Sequence, residues 1–159
     1  MHQLCNKYSW EDILALNLKN HTIILDIDGV VMAHAERVVP DETRRYIEIL
    51  KAKNDIHIVS NGLSKKRKVY TSEALDIPWV DSGCRKPNKR ILSFMEYDEE
   101  KPMVIIGDKI LTDGLFAIRI KAKPLLLERR VTDTDPLITK VTYLIDDTVY
   151  SLCKFFFAR

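Results

Sequence analysis

Short apolar runs alternate with longer stretches of mixed character along this chain. The runs TIILDI, IHIVS, IPWV, MVIIGD and KPLLLE are continuous rather than alternating, which predicts strands covered on both faces. The stretches between them predict helices. PDETRRYIEILKAK is capped by Asp41 with Glu42 in its first turn, SKKRKVYTSEAL starts at Ser64, KPNKRILSFME follows Pro87, and TDGLFAIRI precedes the last strand. SWEDILALNL predicts a leading helix with Ser9 as N-cap. DPLITKVTYLIDDTVYSLCKFFF predicts a long closing helix with Asp135 as N-cap and Pro136 at its first position. Along it Leu137, Val141, Leu144, Ile145, Leu152 and Phe156 keep helical spacing.

Strands that alternate with helices throughout imply an α/β fold, a doubly wound parallel sheet with right-handed crossovers. The 159 residues suit one domain with one core. We expect a single unit over residues 1–159, with a leading helical segment at 1–20 and a C-terminal helix at 136–157. No internal repeat, low-complexity segment or interdomain linker is visible.

Composition narrows the classes further. Hydrophobic residues make up 46% and charged residues 30%, which excludes a disordered chain. The net charge of +2 is too near neutral to argue for nucleic acid, so local clusters matter more. Cys5, Cys84 and Cys153 are scattered and form no CxxC pair, so neither a disulfide framework nor a zinc site is expected. His2, His21, His34 and His57 show no ligand spacing either. No apolar h-region opens the chain, and no run reaches the ~18–20 residues that span a bilayer. The expected location is intracellular, in the cytoplasm or an organelle matrix, or at the periphery of a membrane.

In an open parallel sheet, ligands bind outside the carboxyl ends of the strands. The first predicted strand ends in Asp26 and Asp28, the second in Ser60, Asn61 and Gly62, and the fourth in Gly107 and Asp108 with Asp113 a turn later. Lys86 precedes the helix between the third and fourth. Each of these alone reads as an ordinary turn or cap. Together they bring carboxylates, a hydroxyl and a lysine to one edge of the sheet. Like charges this close repel, and a divalent cation relieves them; oxygen ligands favour Mg²⁺. A cation, Lys86, Ser60 and the Asn61–Gly62 amides have the parts to hold a phosphate. A carboxylate aimed at phosphorus can attack it, which gives Asp26 the role of nucleophile. Asp28 lies two residues on and can act as general acid, then base.

These residues resemble the motifs of the haloacid dehalogenase-like phosphohydrolases. LDIDGVV is similar to that family's DxDx[TV] motif with Val30 in the Thr/Val place, IVSNG to the second motif, RKP to the third, and IIGDKILTDG to the fourth. The resemblance implies a Rossmann-like core and an aspartyl-phosphate intermediate on Asp26. It implies Asp26, Asp28 and Lys86 as catalytic residues, and Ser60, Asn61 and Lys86 around the phosphate. Mg²⁺ would be held by Asp26, Asp28 and Asp108, with Asp113 in support. The series IVSNG, KVYTSEALDIPWV, RKP and VIIGDKILTDGLF is similar to subfamily III members related to phosphatidylglycerophosphate phosphatase; Gly29 departs from their usual Asn.

The gaps between motifs hold a loop and a helix, or a helix and a short strand, but no cap domain. A capless site admits large phosphorylated substrates such as a lipid head group. The basic clusters Lys65–Lys68 and Arg85, Lys86, Lys89, Arg90 would suit an anionic membrane. Phe155, Phe156 and Phe157 are expected to pack on the sheet or on another subunit of a homo-oligomer rather than to enter lipid. Beside the lipid phosphatase stand two alternatives: a phosphatase for a soluble sugar phosphate or a nucleic-acid end, and a binding module inside a larger complex.

Overall fold

The computed structural model describes Leu4 and residues 6–157. His2, Cys5 and the side chain of Phe157 lie outside the described residues. Five strands form one sheet: β1 (Lys7–Tyr8), β2 (Thr22–Leu25), β3 (Asp55–Ile58), β4 (Met103–Gly107) and β5 (Lys123–Leu127). Their spatial order is β1-β5-β4-β2-β3, and every pairing is parallel. β2 lies between β3 and β4, with Leu25 opposite Ile58 on one side and Ile106 on the other. The polar residues that follow these three strands are therefore placed at one edge of the sheet. Helices α1 (Trp10–Ala15), α2 (Asp41–Lys51), α3 (Lys65–Leu75), α4 (Leu115–Ile120) and α5 (Leu137–Phe157) complete the α/β architecture. Among the described residues, no helix is long and apolar enough to cross a membrane.

Alternation along each strand divides the core between the two faces. Ile23, Leu25, Ile56, Ile58, Val104 and Ile106 point to one side, where Ile13 of α1, Ile47 and Leu50 of α2 and Leu75 of α3 cover them. Ile24 and Ile105 point to the other, against Ile91, Phe116 and Ala117. Burial on both faces explains why these strands are continuous apolar runs: neither face can carry the polar half of an alternating pattern. Leu126 instead joins Leu4 and Ile110 in a third cluster, which Val149 and Cys153 of α5 approach.

Several elements differ from their sequence expectation. β1 is an added edge strand on β5, too short at two residues to show a pattern. IPWV is not a strand; Trp79 makes a single bridge to Ile58, because Pro78 removes a ladder donor from an already short run. KPNKRILSFME shortens to a 3₁₀ helix over Lys89–Phe94, begun by the Asn88 side chain accepting from the Arg90 amide. TDGLFAIRI divides into a π-type turn over Ile110–Gly114 and the short α4. Ser9 caps α1 as expected, and Ser64, expected as the start of its helix, is the N-cap of α3. Asp41 does not cap α2: Pro40 is the N-cap, with no side-chain bond, and Asp41 is the first helical residue. Asp135 does not turn to its own helix either. Its carboxylate accepts from the amides of Ala35 and Thr132 and ties the start of α5 to the loop after β2.

Candidate metal centre and active site

The carboxyl edge of β2 and β4 carries the chemistry. The chain leaves β2 through Asp26, whose amide still donates to Ile106 of β4, so this carboxylate is fixed at the end of the ladder. Asp108 follows β4 directly. Asp113 folds back from the π-type turn onto Gly107, where any Cβ would overlap its carboxyl carbon; only glycine lets the two meet. One oxygen from each of Asp26, Asp108 and Asp113 falls within a 4.8 Å span, and all three residues are buried. This triplet could hold a metal ion.

Lys86 is the counter-charge. Its side chain is fully buried, with Nζ 3.1 Å from Asp26 Oδ1 and 2.5 Å from Asp113 Oδ1. Burial would lower its pKa, but Asp113 and Asp26 outweigh that and hold it above the usual lysine range. Asn61 sets the lysine in place: its carbonyl accepts from the Lys86 amide at 2.7 Å, and its NH₂ donates to the Lys86 carbonyl at 3.0 Å. The Asn61 side chain is thus committed to Lys86, which leaves its backbone as the part of this residue that can face a phosphate. Ser60 is buried at the end of the same segment, its Oγ accepting from the Gly62 amide.

One lysine does not balance three carboxylates. Burial pushes Asp26 up to about 6; Lys86 works against this, and Asp113 and Asp28 add to it. Burial pushes Asp108 up to about 7, with Asp113 adding to it. Asp108 Oδ2 accepts from Arg129 Nε at 2.6 Å, whereas its Oδ1 is buried without a hydrogen-bond partner. A buried carboxylate oxygen of this kind is costly unless something binds it. The donor set, all oxygen and all carboxylate, suits a hard divalent cation. The structure therefore brings Asp113, expected only as a support, into the triplet itself.

The Asp28 side chain stands apart from the triplet. Its Oδ1 lies 2.9 Å from Arg67 Nε and 3.8 Å from His34 Nδ1, on the wall of a cleft of about 570 Å³. Ser60, Gly62, Arg37, Lys66 and Lys68 line the same cleft. Of the expected basic cluster, Lys66 and Lys68 face this opening, while Arg67 binds the backbone carbonyls of Ala33 and Glu36 as well as Asp28. Lys65 pairs instead with Asp81.

Arg129 was not foreseen from sequence. Beyond Asp108 it reaches Asp146 and Asp147 of α5, and it lies over the Tyr143 ring at 4.0 Å. Asp146 in turn accepts from the amides of Ile110 and Leu111, holding the turn that carries Asp113. Gly29 shows why this loop has no side chain at that point. Its φ is +83°, and a Cβ there would lie 2.7 Å from Asp108 Oδ2 and 3.2 Å from Arg129 Cγ. Comparison with protein-family models, with curated proteins and with solved structures found no match for the chain.

Proposed function

We propose that the protein is a Mg²⁺-dependent phosphomonoester hydrolase of the haloacid dehalogenase type, working through an aspartyl-phosphate on Asp26. The observation that carries this reading is the placement of Asp26 between Lys86 and the carboxylates of Asp108 and Asp113, with one oxygen of Asp108 buried and unbonded. Mg²⁺ bound by Asp26, Asp108 and Asp113 would neutralise charge on the phosphate as it is transferred.

In this reading Asp26 Oδ2 forms a bond to phosphorus while the bond to the leaving oxygen breaks. Asp28 delivers a proton to that oxygen, then takes one from the water that attacks phosphorus and releases Asp26. Oδ1 of Asp26 stays held by the Ile27 amide and Lys86, which fixes the direction of attack. Ser60 and the backbone of the 60–62 turn offer donors to the phosphate oxygens. The short connections at 26–40 and 59–64 favour a capless site.

The lining of the cleft supports one substrate class over others. Arg37, Lys66 and Lys68 beside Asp28 favour a monoester with a second anionic group. Phosphatidylglycerophosphate is one such molecule, and its diester phosphate would meet these cations. The test is Mg²⁺-dependent phosphate release over lipid, sugar and nucleotide phosphates, by wild type and Asp26→Asn. Loss of all turnover in the variant, with the fold intact, is expected. Retention of more than about a tenth of the activity, a barrier change of only ~1.4 kcal/mol, would remove Asp26 as nucleophile.

A further inference from the structure

Helix α5 is amphipathic in the wrong sense for a helix that only packs on its own sheet. Its inward residues are Thr139, Tyr143 and Asp146, all buried and two of them bound to the Arg129 network. Its apolar stripe points outward. Leu137, Val141, Leu144, Ile145, Leu152 and Phe155 are each between 43% and 77% exposed. At 100° per residue they fall, with Thr148, in an arc of roughly 120° opposite the buried face. No ionisable residue interrupts that arc.

We infer that this face is a homodimer interface, in which α5 of one protomer packs against α5 of a second copy about a two-fold axis. The first argument is area. Six exposed apolar side chains of α5 lie in that arc, and two more, Ile138 and Phe156, border it. At roughly 100 Å² each, the area implied by ~2.5 kcal/mol per buried side chain, the eight present on the order of 800 Å². The largest apolar patch of a typical monomer is roughly 300–600 Å², and a standard interface takes about 800 Å² from each partner. The second argument is spacing. Positions 137, 141, 144, 148, 151 and 155 advance by alternating steps of four and three, the seam by which two helices interlock side by side. The third is charge. An interfacial helix on a bilayer has a polar face rich in Lys and Arg. α5 has only Lys140 and Lys154 over 21 residues, together with Asp146 and Asp147.

The test is sedimentation velocity of the full chain at about 1 and 100 µM, the range in which an interface of this size sets the balance. It compares wild type with a Leu144→Glu, Leu152→Glu double variant. Both side chains are more than half exposed, so the protomer's own packing is little changed. A wild-type dimer and a folded, monomeric variant, with dissociation shifted at least ~100-fold, is the expected result. A wild type that stays monomeric at the higher concentration overturns the inference, and its co-sedimentation with phosphatidylglycerol vesicles would assign the face to lipid instead. A dimer that persists in the double variant overturns it as well. Should that variant not fold, Thr148→Cys decides: position 148 lies on the seam near the middle of α5. A 148–148 disulfide formed on mild oxidation and located by mass spectrometry supports the pairing. Its absence overturns it.

Discussion

If Mg²⁺ occupies the carboxylate triplet as proposed, stability, Mg²⁺ and pH depend on one another in a direction that can be worked out. Asp26 and Asp108 have folded-state pKa values raised to about 6 and about 7 from an ordinary 3.8, burial being the main cause. The folded metal-free protein therefore holds protons that the unfolded chain has already lost. The stability this confers is complete below pH 3.8 and is lost as pH rises through 6 and then 7. For Asp26 alone the shift corresponds to on the order of 3 kcal/mol, and about 1 kcal/mol moves Tm by roughly 2–4 °C in a chain of this size. Bound Mg²⁺ removes the penalty by pairing with the ionised forms, and at low pH it must first displace protons. Saturating Mg²⁺ should therefore raise Tm by roughly 6–12 °C at pH 8 and by much less at pH 5. Differential scanning calorimetry at the two pH values, with and without Mg²⁺, measures this. Asp26→Asn is the control: it mimics the protonated form and should remove the part of the pH dependence centred near 6, leaving that of Asp108, without lowering Tm. An equal Mg²⁺ effect at both pH values, or none at pH 8, would refute the metal assignment.

Two further outcomes rest on single contacts. Lys86→Met leaves Asp26 and Asp113 buried without their cation, and urea unfolding at pH 7 should show a loss of about 3–5 kcal/mol, partly restored by Mg²⁺; a loss below ~1 kcal/mol would mean that the pair is not held as described. Gly29→Ala places a methyl against Asp108 Oδ2 at a φ of +83°, so isothermal titration should show Mg²⁺ affinity falling by ~10–100-fold, and unchanged affinity would show that the loop yields without disturbing Asp108.

Much of this arrangement was legible in the sequence, for reasons that differ by residue. Thr22–Leu25 and Met103–Gly107 could be read as strands because burial on both faces leaves unbroken apolar runs. The polar residues after them could be placed together because parallel strands share one carboxyl edge. Asp26, Asp108, Asp113 and Lys86 duly meet there. Asn61 was expected beside the phosphate; that its side chain would instead brace Lys86 was not legible, since nothing local shows that its amide will span 25 residues to the Lys86 backbone. Arg129 and Asp146 were missed for the same reason: their partners lie on other elements, and an arginine in the charged run Glu128–Arg130 after a strand looks like any solvated charge. The periodicity of α5 was visible, but not which way it faces. An apolar stripe carries the same signature whether it covers its own sheet or another surface.

The central claim is that Asp26 becomes covalently phosphorylated. It is tested most directly by trapping the acyl-phosphate during turnover of a phosphomonoester with Mg²⁺, reducing it with borohydride and mapping the product by tandem mass spectrometry. An acyl-phosphate on an aspartate is reduced to homoserine, whereas a free carboxylate is not. The account predicts homoserine at position 26, dependent on both substrate and Mg²⁺ and absent in Asp26→Asn. Homoserine at another aspartate, or steady turnover with position 26 unmodified at every quench time, would contradict it.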